Sequence, residues 1–311
     1  MGGVPHPAEP PPTPAAAIKK KNTTPKPWFA LHFNIRSLRP VPSVSPPHSP
    51  AAPVVEFRHV GKSFGDGPLV LDDLTFAAAP GDFIALIGPS GCGKSTLLKL
   101  IAGLSPVTSG NLAVNTARAS DTADSLAYVF QEATLLPWLN VSDNVALPLA
   151  LRSTAPAERS TAVRHALELV RLTSHAAFYP RQLSGGQQMR VSIARALSLS
   201  PSLLLLDEPF GALDEMTRDH LNEELLAIRE RQAWTAFFVT HSVAEAVFLS
   251  NRVVILAANP GRIHREIRID LPYPRTAETR TTPAYQTLVV EISRLLRAVE
   301  NSPRTNAEIE K

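Results

Sequence analysis

The chain of 311 residues is 44% hydrophobic with a formal charge of +3, enough apolar sequence for one large domain or two modest ones with a buried core. No stretch approaches the roughly eighteen uninterrupted apolar residues that a bilayer-spanning helix needs, and the best candidates, residues 203–206 and 253–256, have strand length. The single cysteine, Cys92, excludes an intrachain disulfide and offers no metal-ligand spacing, which reads as a reducing compartment and argues against zinc chemistry.

Residues 1–53 are proline-rich, with runs such as PAEPPPTP and PSVSPPHSP, and hold six Lys and Arg residues against Glu9 alone. Without apolar periodicity they cannot offset chain entropy, so a disordered tail is expected. The basic balance belongs to this tail and is no argument for nucleic acid, which is not an expected partner. Within the tail, KPWFALHFNIR alternates basic and aromatic side chains as a segment resting on lipid or on a partner would; a solvated extension is the plainer reading. Prolines and charges leave no apolar region of a secretory signal, and His6 spoils the myristoylation pattern.

From Val54 onward, short apolar runs alternate with helical patterns, as in an α/β domain. VVEFRHV and LDDLTFAAAP read as strands joined by a turn, GDFIALIG as a buried strand, and KSTLLKLIAG as a helix closed by Gly103. LAYVFQ, SLLLLDEP, WTAFFVTHS and RVVILA form a second set of predicted strands. A helix-rich insertion, with NVALPLALR and PAERSTAVRHALELVRL, occupies roughly residues 132–183 between the first two of these. After Pro260 the pattern predicts a last strand, RIHREIRIDL, and an amphipathic helix near AYQTLVVEISRLLRAV. The expected division is a tail over 1–53, a domain over 54–271 and a C-terminal extension over 272–311, with no internal repeat.

In GPSGCGKST, the residues Gly88, Pro89, Ser90, Gly91, Cys92, Gly93, Lys94, Ser95 and Thr96 follow a predicted strand and open a predicted helix. This is the context that G-x-x-x-x-G-K-S requires. Glycines let the backbone wrap phosphates, Lys94 neutralises the β- and γ-phosphates, and the Ser95 hydroxyl ligates Mg²⁺. Cys92 near a helix start invites a low-pKa thiol, but a small residue that fits the loop is the plainer account. In SLLLLDEP, a buried strand delivers Asp207 toward Mg²⁺ and Glu208 toward a water in line with the γ-phosphate. Gln131 and His241 also stand at strand ends, and such ends converge on the ligand crevice of a parallel sheet. QLSGGQQMRVSIARAL adds a second glycine-led helix start, which again offers backbone N–H groups and a positive dipole end to an anion.

Taken in order, GPSGCGKST, FQ, LSGGQ, LLLLDEP, LD and TH resemble the ATP-binding subunit of ABC transporters over residues 54–271. The resemblance implies an α/β P-loop NTPase cassette: a RecA-like, mostly parallel sheet with an antiparallel β subdomain and a helical subdomain. It implies an ATPase that uses ATP and Mg²⁺. In such a protein Phe64 stacks on adenine, Gln131 senses Mg²⁺ and the transmembrane partner, Asp207 holds Mg²⁺, and Glu208 is the catalytic base. Asp214 is the D-loop acid and His241 the switch histidine. Ser184, Gly185, Gly186 and Gln187 cap the γ-phosphate held by the other subunit of a head-to-tail homodimer, which would account for two phosphate-binding helix starts in one chain.

LLPWLNVSDNVALPL and NPGRIHREIRIDLPYPR look like the corresponding segments of the nitrate, sulfonate and taurine importers' ATP-binding subunits. That likeness implies import of a small anion through a separate transmembrane permease, with a solute-binding protein as an indirect partner, at the cytoplasmic face of the inner (plasma) membrane. Two other classes compete. A soluble ABC ATPase acting on DNA or ribosomes typically needs a long coiled-coil insertion or two fused cassettes, and an exporter often carries its permease in the same chain.

Overall fold

A computed structural model describes residues 52–115, 125–232 and 234–301. The expected disordered tail and its KPWFALHFNIR stretch lie outside the described residues.

Three apolar runs form strands buried on both faces: β3 (Phe83–Ile87), β6 (Leu203–Asp207) and β7 (Thr235–Val239). Unbroken burial marks the centre of a parallel sheet covered on both sides. With β5 (Leu126–Val129), β8 (Arg252–Ala257) and β9 (Arg262–Arg268) they make a six-stranded sheet in the order β5-β6-β7-β3-β8-β9. All neighbours are parallel except β9, which runs antiparallel at the edge. Val239 is in register with both Leu86 and Asp207, so the residues that follow β3, β6 and β7 emerge along one rim. A second, antiparallel sheet has the order β2-β1-β4, from β1 (Val55–Ser63), β2 (Leu69–Ala78) and β4 (Ser109–Val114).

Alternation along the strands sends successive side chains to opposite faces and divides the core. Ile84, Leu86, Leu205 and Phe237 pack with Phe57, Leu71 and Leu74 of the antiparallel sheet and with Leu97 of helix α1 (Lys94–Ile101). Phe83, Ala85, Leu204, Phe238 and Ile255 pack on the other side. There they meet α2 (Val141–Leu151), α3 (Pro156–Leu169), α4 (Gly185–Leu197), α5 (Glu215–Arg231) and α6 (Val243–Leu249). Within residues 132–183, α2 and α3 pack on each other and on α4.

Helix α1 ends with Ala102 as cap; Gly103, at φ 69°, lies one residue beyond it. Gly103 N–H donates to Leu100 O and Leu104 N–H to Lys99 O, the left-handed closure that glycine makes without steric cost.

Residues 272–301 join the same core. In α8 (Pro283–Glu300) the side chains of Tyr285, Ile292 and Val299 are buried with the helical face of the main sheet, and Tyr285 Oη donates to Ala244 O at 3.0 Å. The buried Arg275 donates through Nη1 to the carbonyls of Val247, Phe248 and Ser250. It thereby satisfies the C-terminal end of α6, where carbonyl dipoles favour a cation. Two elements were not anticipated: β4, a half-exposed edge strand without clear alternation, and α7 (Ala277–Thr281), a single exposed turn.

Candidate active site

The loop from Gly88 to Lys94 leaves the end of β3 and turns into α1. Gly93 sits at φ 94°, and a Cβ there would stand 2.4 Å from Leu71 Cδ2; only glycine takes this left-handed turn against β2. Lys94 is buried, and its Nζ donates to Gly88 O at 2.9 Å and Pro89 O at 3.1 Å, which fixes the ammonium inside the loop. Above the loop lies a cavity of about 320 Å³, lined by Ser90, Gly91, Gly93, Lys94, Ser95 and Thr96 and, from the other strand ends, by Glu208 and His241. The Cys92 thiol is buried and burial pushes its pKa up. A reactive low-pKa thiol is thus not what this loop builds; Cys92 is a small residue packed into it.

Ser95 Oγ donates to Asp207 Oδ1 at 2.9 Å, joining the start of α1 to the end of β6. Tyr128 Oη donates to the other oxygen, Asp207 Oδ2, at 2.9 Å. Burial, and then the Asp207 charge, drive the Tyr128 pKa upward, which keeps the phenol protonated as a donor. Magnesium takes one or two protein oxygens and completes its octahedron with water and phosphate. A hydroxyl and a carboxylate in contact fit that ion, and no group of three or more His, Cys, Asp and Glu suited to other metals exists among the described residues.

Glu208 adopts φ 47°, a left-handed conformation costing a non-glycine residue about 1–3 kcal/mol and typical of functional positions. Its N–H donates to Val239 O at 3.0 Å, and the turn lifts the carboxylate out of the sheet. His241 Nε2 lies 2.7 Å from Glu208 Oε1, and Gln131 Nε2 donates to Glu208 Oε2 at 3.4 Å. Three strand ends thus bring Gln131, Glu208 and His241 into one contact chain, of which Glu208 and His241 line the P-loop cavity, where Glu208 can accept a proton from a water aimed at a bound phosphate.

The remaining predicted residues stand elsewhere. Ser184 is the N-cap of α4: its Oγ accepts from Gln187 N–H, and Gln187 Oε1 accepts from Ser184 N–H at 2.9 Å. This reciprocal capping box leaves the Gly185 and Gly186 N–H groups pointing out of the helix end. Gln187 Nε2 lies 3.3 Å from His175 Nε2. Asp214 is the N-cap of α5, and accepting from Thr217 N–H at 3.0 Å holds its exposed carboxyl below the usual range. Phe64, in the β1–β2 turn, is 54% exposed with the Lys62 ammonium 4.8 Å from its ring centre. None of Phe64, Asp214 or residues 184–187 lines the P-loop cavity. Tyr128 and His175 escaped the sequence reading: one sits in an apolar strand run and the other in a polar stretch before the glycine pair, and neither spacing points at its partner.

The ABC transporter family profile matches residues 71–211. The aliphatic sulfonates import ATP-binding protein SsuB of Bacillus cereus is 46% identical over 217 residues, covering 70% of this chain and 84% of that protein. Its Bacillus subtilis counterpart is likewise 46% identical, over 219 residues, with 70% and 84% covered. Among solved structures, the dimeric post-hydrolysis state of the ATP-binding cassette MJ0796, bound to ADP and Pi, superposes with a TM-score of 0.61 at 31% identity, covering 70% of this chain and all of that one. With a P-loop, an acid pair after β6 and relatives this similar over most of their length, the chain belongs to the ABC transporter ATP-binding proteins and is an ABC-type ATPase.

Proposed function

We propose that this chain energises the import of an aliphatic sulfonate through a separate membrane-spanning permease, working as a homodimer at the cytoplasmic face of the plasma membrane. The observation that carries the energising role is the contact of Glu208 with His241 and Gln131, together with the Ser95–Asp207 pair. Support for the solute class comes from relatives named for aliphatic sulfonate import, and for the dimer from the dimeric cassettes it resembles. No described helix is long and apolar enough to cross a membrane, which accords with a permease supplied by other chains. Residues 54–271 act as the cassette, with the helical subdomain over about 132–183.

In this mechanism Lys94 and the P-loop N–H groups hold the β- and γ-phosphates of ATP, and Phe64 stacks on the adenine. Ser95, Asp207 and Gln131 would hold Mg²⁺, which would neutralise charge developing on the phosphates. Glu208 accepts the proton of the attacking water, and His241 and Gln131 hold its carboxylate in place. Ser184, Gly185, Gly186 and Gln187 close over the γ-phosphate of the partner subunit's nucleotide, while Asp214, as the cap of α5, sets the loop between them. A site that closes only when two subunits meet makes ATP binding a dimerisation force, which hydrolysis releases.

Isolating the protein from membranes under gentle conditions should recover a permease with it. In proteoliposomes, a sulfonate-loaded solute-binding protein should raise the ATPase rate. Isolation free of any membrane protein would overturn the transport reading, and stimulation by nitrate but not by any alkyl sulfonate would overturn the solute class.

A further inference from the structure

On the side of the Glu208–His241 pair away from the P-loop lies a second cavity of about 290 Å³, whose lining includes Arg218 and Glu245. Arg218, on α5, donates through Nη2 to Leu213 O at 2.7 Å and through Nε to Phe210 O at 3.3 Å. One guanidinium therefore grips both carbonyls of the loop that follows Glu208. Its Nε also stands 3.5 Å from Oε1 of the buried Glu245, in the first turn of α6.

Glu245 in turn holds the loop that carries His241. Its carboxylate accepts a hydrogen bond from Thr240 Oγ1, and its N–H donates to Ser242 Oγ at 3.3 Å. Ser242 N–H closes the ring by donating to Thr240 Oγ1 at 3.0 Å. Both neighbours of His241 are thus bonded to one residue, while the imidazole reaches outward to Glu208. Burial pushes the Glu245 carboxyl up, and Thr240, Arg218, Asn222 and Arg280 act against that. Arg280 comes from α7, where it stacks 3.9 Å from the Phe248 ring centre and pairs with Asp219 of α5 at 3.0 Å.

We propose that Arg218 and Glu245 are positioning residues: their ion pair ties the loop after Glu208 to the loop of His241 and so sets the Glu208–His241 contact. An ion pair between the half-buried Arg218 and the buried Glu245 adds little stability by itself; here it contributes orientation, because Arg218 holds backbone carbonyls of one loop and Glu245 bonds the hydroxyls of Thr240 and Ser242 in the other. The inference rests on the reading of Glu208 and His241 as the hydrolytic pair.

The test is steady-state ATPase kinetics on Glu245→Ala, Glu245→Gln, Arg218→Gln and the Arg218→Gln/Glu245→Gln double variant, with ATP binding measured separately. Glu245→Ala should lower kcat about 10-fold or more while the KM for ATP stays within about two-fold. Glu245→Gln keeps an acceptor for Thr240 and should recover part of that loss. The double variant should be about as slow as the worse single one, because both act through one link. A kcat within about two-fold of wild type in Glu245→Ala, or additive losses in the double variant, would overturn the proposal; should Glu245→Ala fail to fold, the glutamine cycle decides alone. Glu208→Gln is the control. If it hydrolyses ATP at the wild-type rate, the reading of the hydrolytic pair falls; if it is inactive while Glu245→Ala is fully active, only the ion-pair link falls.

Discussion

Two helix starts in this chain carry glycines in or before their first turn, and they are built differently. At α1 the loop is crowded by its own chain: Lys94 is bonded into it, Ser95 reaches Asp207, and Glu208 and His241 overhang the same cavity. At α4 the helix start caps itself through Ser184 and Gln187 and meets no acid pair and no P-loop residue. The parallel sheet explains the contrast. Strand ends in register deliver side chains from β3, β6 and β7 to one rim, whereas α4 begins in the helical layer. A start with outward N–H groups, beside a cavity that Gly185 and Gln188 share with Leu213 and with no P-loop residue, is suited to a ligand brought by another molecule.

The largest expected effect breaks the first site alone. Glu208→Gln should reduce kcat by about 10²–10⁴-fold with nucleotide binding kept, so that ATP drives a stable dimer seen in size-exclusion chromatography. Hydrolysis at the wild-type rate would remove Glu208 as the base.

A pair of heterodimers sharpens the comparison itself. Lys94→Ala disables the cradle at α1, and Gly185→Asp sets a carboxylate at the start of α4, against any incoming phosphate. With one defect on each chain, trans pairing concentrates both in a single site and leaves the other whole, so one occluded ATP per dimer is expected. With both defects on one chain, neither site should occlude ATP; the reverse pattern would mean that the α4 start serves its own chain.

A smaller effect probes how α4 is seated. A Cβ at Gly186 would stand 2.8 Å from Thr217 Cγ2 of α5. The branched threonine has little room to yield, so Gly186→Ala should cost about 1 kcal/mol net, overpacking offsetting the helix propensity gained. Thermal denaturation reads this directly, and an unchanged Tm would mean that α4 and α5 separate easily. The smallest concerns the C-terminal segment. Tyr285→Phe removes the bond to Ala244 O and should cost about 1 kcal/mol with kcat unaltered; a large fall in kcat would instead couple α8 to the His241 loop.

The P-loop, the acid pair and the two polar strand-end residues were legible from residue order, because each needs only a local pattern: glycines before a helix, or a polar residue after an apolar run. The buried strands were legible for the same reason, since unbroken apolar runs of strand length can be satisfied only inside a sheet. By itself the sequence determined the ATPase chemistry and the family. The tertiary structure decided what depends on distance between elements far apart in the chain. Tyr128 meets Asp207 across 79 positions, and Arg218 meets Glu245 only because α5 and α6 pack side by side. Residues 272–301 looked separable because a helix with one apolar stripe carries no mark of what it covers; Arg275 and Tyr285 fasten them to α6 and the main core. Asp214 shows the same limit at a single residue, since an acid before a helix reads equally as a ligand or a cap, and its geometry here is that of the cap of α5.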